Sequence, residues 1–181
     1  MQPWDAIHPL LVHFPLGALA IVPVLVLLSI FLKSNSRPFM GAALITLSIG
    51  TAGLFLAVSS GVAGAELVDR TAPINIALEH HKELGEATRN IFLGLSAVYA
   101  VMAGLFALPG RRIGHGALVA ASIVFLALYA AGFLALANTG HEGAELVHKL
   151  GVQAMIETGH QADGLETTTN EEDEDLGLDL D

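Results

Sequence analysis

The chain has 181 residues, of which 53% are hydrophobic and 14% charged, and its mean hydropathy is +0.61. That apolar content exceeds what a globular core of this size absorbs and places the chain among integral membrane proteins. The formal charge of −10 is concentrated at the carboxy-terminal end, where nine of the eighteen acids fall in the last nineteen residues; with no basic patch, nucleic acid is not an expected partner. The absence of cysteine excludes a disulfide framework, a thiolate cluster and covalent c-type haem attachment.

Four stretches reach or approach the about 20 apolar residues that a membrane-crossing helix needs: Ile7–Leu32, Phe39–Ala63, Ile91–Leu108 and Ile113–Ala137. The first has no Lys or Arg on its amino-terminal side and is too long for the apolar region of a signal peptide, so it is expected to be retained. It opens on HPLLVHFP, with His8 and His13 five residues apart. On a helix that separation is about 140° of rotation and about 7.5 Å of rise, so the two imidazoles face different neighbours. His13 is expected to be the deeper one. Pro9 suits a first helical turn, whereas Pro15 frees a carbonyl and can bend the helix, re-aiming His13.

KSNSRP joins the first two spans and PGRR the last two, and short loops rich in Lys and Arg stay in the cytoplasm. Both termini and the Glu66–Asn90 segment are therefore expected on the outer side of a multi-pass cell-membrane protein. His8, His13, His80, His81, His141, His148 and His160 then share the outer face, with His115 alone at the inner one. Short loops imply antiparallel neighbours, so the expected fold is an all-α, antiparallel four-transmembrane-helix bundle over residues 1–160. Residues 161–181 form an acidic tail expected to be disordered. Gly41, Gly50, Gly53, Gly61 and Gly64 in the second span let helix backbones approach closely.

Before the third span, EHHKELGEATRN separates two stripes. His80 continues Leu84, Ala87, Ile91, Leu95 and Val98, read as ordinary packing. His81 continues Gly85, Thr88, Phe92 and Ser96, a stripe of small and polar residues that admits a flat cofactor, which makes His81 the better ligand. Glu79, Glu83, Glu86 and Asn90 form a solvated face. After the fourth span, His141, Glu145 and His148 share a face, but His141 and His148 are about 10.5 Å apart along the axis and need a bend at Gly143 to share one metal ion. Glu145 and His148 also match the i, i+3 carboxylate–imidazole spacing of di-iron bundles. The sequence repeats itself: GVAGAELVDR at Gly61–Arg70 returns as GHEGAELVHK at Gly140–Lys149, and the same interval pairs His81 with His160. Each copy follows an even-numbered span, as two tandem helix hairpins would arrange it.

IHPLLVHFPLG, the His pair before the third span and TGHEGAELVHKLGV together resemble the membrane family catalogued as domain of unknown function 2231, over about residues 5–156. The resemblance implies a four-span domain found beside cytochrome-like and Rieske-like redox modules. Ala144 departs from the second Gly of relatives.

Three functions are compatible with these residues. The first is a haem b protein carrying electrons near the outer face, with His13 opposite His81 or His141 and with His8 as a further ligand or tuning group. The second is a nonhaem site for Zn, Fe, Mn or Cu built from His8, His80, His141, Glu145 and His148, with Glu66 joining through the repeat. The third is a membrane subunit without catalysis, whose outer polar residues dock a redox partner. The bilayer is the common partner of all three, and self-association into a homo-oligomer is compatible with each.

Overall fold

A computed structural model of the chain describes residues 8–66, 68, 71–108, 114–149 and 152; the acidic tail and His160 lie outside them. Among the described residues there are four α-helices, α1 (His8–Phe31), α2 (Ser36–Ala65), α3 (Ala72–Ala107) and α4 (His115–His148), with a 3-10 turn at Lys33–Asn35 between the first two. Each is long and apolar enough to cross a membrane. Successive helices pack against each other and α4 returns to α1, which closes an antiparallel bundle in chain order.

Buried positions repeat at alternating steps of three and four residues on every helix. They are Pro15, Leu19, Val22, Val26 and Ser29 on α1, and Met40, Ala43, Leu47, Gly50, Leu54 and Ala57 on α2. On α3 they are Thr88, Phe92, Leu95, Tyr99 and Met102, and on α4 Leu118, Ser122, Phe125, Tyr129 and Gly132. This is the heptad spacing that turns one narrow seam of each helix inward at small crossing angles. Off the seam, large aliphatics such as Ile21, Val24, Ile45, Val101, Ile123 and Leu134 are exposed. A belt of that kind suits hydrocarbon and would be a liability in water.

Two features bring the helices close. Leu19 and Pro15 pack where Gly50 and Gly53 have no side chain: a Cβ at Gly50 would lie 2.7 Å from Leu19 and one at Gly53 3.1 Å from Pro15. Gly41 and Gly64, expected to do the same, face open space instead. The second feature centres on Pro23, inside α1. Lacking an N–H, it leaves the carbonyl four residues back without its helical partner. That carbonyl is Leu19's, and the Tyr129 hydroxyl of α4 donates to it at 2.7 Å. Thr51 and Ser96 join α2 to α3 in the same manner, 2.9 Å apart.

The third and fourth spans are longer than the hydropathy alone suggests. α3 has 36 residues and α4 has 34, about 54 and 51 Å by helix rise against a hydrocarbon core of about 30 Å. EHHKELGEATRN is therefore a continuous part of α3, and TGHEGAELVH a continuous part of α4, rather than flanking segments.

Replacing Tyr129 by Phe strands the Leu19 carbonyl and should lower stability by about 1–3 kcal/mol. Thermal unfolding in detergent micelles measures the loss. The cost should shrink in a Pro23→Ala background, where residue 23 regains an N–H; equal losses in both backgrounds would show that the carbonyl does not depend on Tyr129.

Candidate functional site

The α3–α4 pair keeps its register beyond the apolar stretch. Phe92 meets Tyr129 edge to face at 5.6 Å, Thr88 and Thr139 share a hydrogen bond of 2.8 Å, and His81 lies against Gly143. The seam continues with them, through Leu136, Thr139, Gly143 and Leu146 on α4 and through Gly85, His81, Leu78 and Ile74 on α3. All of these are partly or fully buried. His81 thus occupies a core position of the bundle's polar end.

The imidazole fits there because position 143 has no side chain. A Cβ on Gly143 would stand 2.9 Å from the His81 Cε1 and 3.4 Å from its Nε2. Nδ1 of His81 is buried and has no hydrogen-bond partner. Tyr99 and Ser122 hydroxyls share that condition in the middle of the bundle, but neither is an imidazole.

The same seam sets the direction of the remaining histidines. His13 precedes buried Pro15 by two residues, His141 precedes Gly143 by two and His148 follows Leu146 by two, and two residues turn a helix by about 200°. Each therefore points away from its neighbour on the seam, and all three are exposed. On α1 it is Pro15, not His13, that faces Gly53. His80, one residue from His81, is also exposed and lies 3.8 Å from Glu142 across the helix pair. Glu145 pairs with His141 at 3.3 Å and with Lys149, not with His148. α4 runs unbroken through Gly143, so His141 and His148 stay apart. Among the described residues no three His, Asp or Glu side chains are grouped to hold a metal ion.

The two stripes of α3 also change places. Ala87, Ile91 and Val98, read as packing with His80, are exposed, and only Leu95 of that stripe is buried. The stripe of His81 is the packed one, and Thr88, Phe92 and Ser96 fill it against Thr139, Tyr129 and Thr51. The flat slot expected beside them is occupied by the protein's own side chains. This stripe points to His81; its counterpart Gly143 is the second glycine of the repeated G-x-x-G, a signal that spacing along α3 does not carry.

His8 is the first residue of α1, and its side chain lies outside the described residues. By backbone position it stands seven residues before Pro15, in phase with the seam. Counting outward along α1 and α4 from the Leu19–Tyr129 hydrogen bond brings His8 within about one helical turn of the Gly143 layer. The two copies of the repeat differ in structure: α2 ends at Ala65, inside the first copy, while α4 carries the second through to His148. Leu146 in that second copy is buried, whereas Glu66, expected to mirror Glu145, sits at the exposed end of α2.

The family model described as "Predicted membrane protein (DUF2231)" matches residues 4–155, most of the chain, and the chain belongs to that family. No curated protein and no solved structure matches it.

Adding a methyl group at Gly143 should push the His81 ring out of its seat while leaving the helices folded, because the contact is with the far end of a flexible side chain. Labelling with diethyl pyrocarbonate, read by mass spectrometry, should show His81 reacting several-fold faster in Gly143→Ala. Gly64→Ala, at the matching place in the other repeat and with open space around it, should leave the rate unchanged.

Proposed function

We propose that this member of the family holds a cofactor at the polar end of its bundle, with His81 as ligand, and that the bound group passes electrons at the outer face of the membrane. The observation behind the reading is the buried Nδ1 of His81, without a partner, at a core position. Buried polar atoms are normally bonded, and an exception is a reason to look for a missing group. His8 is the natural second ligand, since α1 brings its backbone to the same end in phase with the seam. Haem b is the first candidate, with two axial imidazoles from facing helices and no need of cysteine. The packed layers at Thr88 and Phe92 exclude the macrocycle from the middle of the bundle, so it would sit beyond them, between α1 and the projecting α3–α4 pair. Iron or zinc alone is the smaller alternative, completed by water or by residues near His8.

Purified protein should be red, with an intense Soret band and sharp bands after dithionite, and both His81→Ala and His8→Ala should abolish the bands. A colourless protein with one tightly held metal ion, lost in the same variants, would support the alternative. A colourless and metal-free preparation from cells supplied with haem precursor and iron would defeat the cofactor reading.

A second reading rests on a separate observation: His80 pairs with Glu142 across the α3–α4 projection, and Glu145 pairs with His141 and Lys149 along α4, so that charged groups gather on its surface. That surface suits docking of a cytochrome-like or Rieske-like protein without any cofactor in this chain. A photo-crosslinking residue at position 141, used in native membranes, should capture a redox protein. Adducts to lipid or to the chain itself, and to nothing else, would remove this reading.

A further inference from the structure

At the opposite end of the bundle, α2 and α3 part to leave an apolar groove of about 240 Å³, open on its outer side. Met40, Gly41, Ala103, Gly104 and Phe106 line it, and Arg37 stands in its wall at the start of α2. Gly41 and Gly104 meet no other atom where a Cβ would be, so the groove is a true hollow and not a close helix contact.

The charge around this end is of one sign. Lys33 lies in the connection from α1 into α2 and Arg37 in the first turn of α2, and in the sequence Arg111 and Arg112 fall between α3 and α4. No Asp or Glu occurs between Asp5 and Glu66, or between Glu86 and Glu142. Arg37 therefore has no carboxylate available from either connection. Among the described residues no carboxylate pairs with Arg37.

We infer that this groove seats one acyl chain of an anionic phospholipid, with the headgroup phosphate on Arg37. An apolar trough ending at a guanidinium matches a molecule that is a hydrocarbon chain ending in a phosphate, and basic residues at a bilayer face attract anionic lipid. Guanidinium also suits phosphate through paired N–H donors. A second copy of the chain is the less fitting occupant. Around a twofold axis it would bring Arg37 toward its own counterpart without a compensating acid.

The test is native mass spectrometry of the full chain in mixed micelles, offered phosphatidylglycerol or phosphatidylcholine in turn. Wild type should retain one phosphatidylglycerol in preference to phosphatidylcholine. Arg37→Gln should weaken phosphatidylglycerol retention by about fivefold and abolish the preference. Gly104→Leu, which fills the hollow from a position with free space, should lose retention of both lipids, and Gly41→Leu on the facing wall should repeat that loss. Retention unchanged by Arg37→Gln, or by both glycine variants, would overturn the assignment. So would displacement of the adduct by inorganic phosphate, which would assign the chemistry to a free anion. A lipid-free dimer that becomes monomeric in Gly104→Leu would overturn it in favour of a second copy.

Discussion

The alternation of three and four residues between inward-facing positions governs this bundle from end to end. It selects which side chains of nearly uniform apolar helices become core, since hydrophobicity alone cannot choose a face on α1. In a bilayer the lipid is as apolar as the core, so close fit and buried hydrogen bonds must hold the helices together. The seam supplies both. It places Pro15 and Leu19 against Gly53 and Gly50, and it puts Thr51 opposite Ser96 and Thr88 opposite Thr139. Because α3 and α4 keep the same phase past their apolar lengths, it also decides that one histidine of the polar end is enclosed while its neighbours are not.

Much of the fold could be read from composition and span length: four helices, their antiparallel order, and the family. The lengths of α3 and α4 could not. Hydropathy measures where lipid ends, whereas a helix ends where its packing partner does, and here α3 and α4 each extend because the other does. The histidines were legible as a group at one end, but their directions depend on phase, and phase is hidden in a helix that is apolar all round. Pro15 drew attention through its two neighbouring histidines. Pro23 matters at least as much, and the signal for it was a lone Tyr in the fourth span, a polar hydroxyl that must find an acceptor away from water.

The repeat carries a lesson about symmetry. Its two copies share six identical residues out of ten, yet α2 ends inside the first, whereas α4 carries the second as far as His148 and seats an imidazole against it. Equal sequence gives unequal structure because the second copy has the long first half of α3 to lean on. The bundle thus has two chemically different ends: one with a histidine seated among paired carboxylates and imidazoles, and one with arginine beside an apolar trough.

The Leu19 carbonyl also bears on how the chain assembles. It belongs to α1, and the hydrogen bond that satisfies it comes from α4, which is made later. While synthesis proceeds, α1 and α2 can already join through their glycine contacts, but the vacancy opened by Pro23 persists until α4 arrives with Tyr129. Closure of the ring is thereby rewarded at a late step, and a chain lacking α4 would keep an unmet acceptor inside an apolar helix.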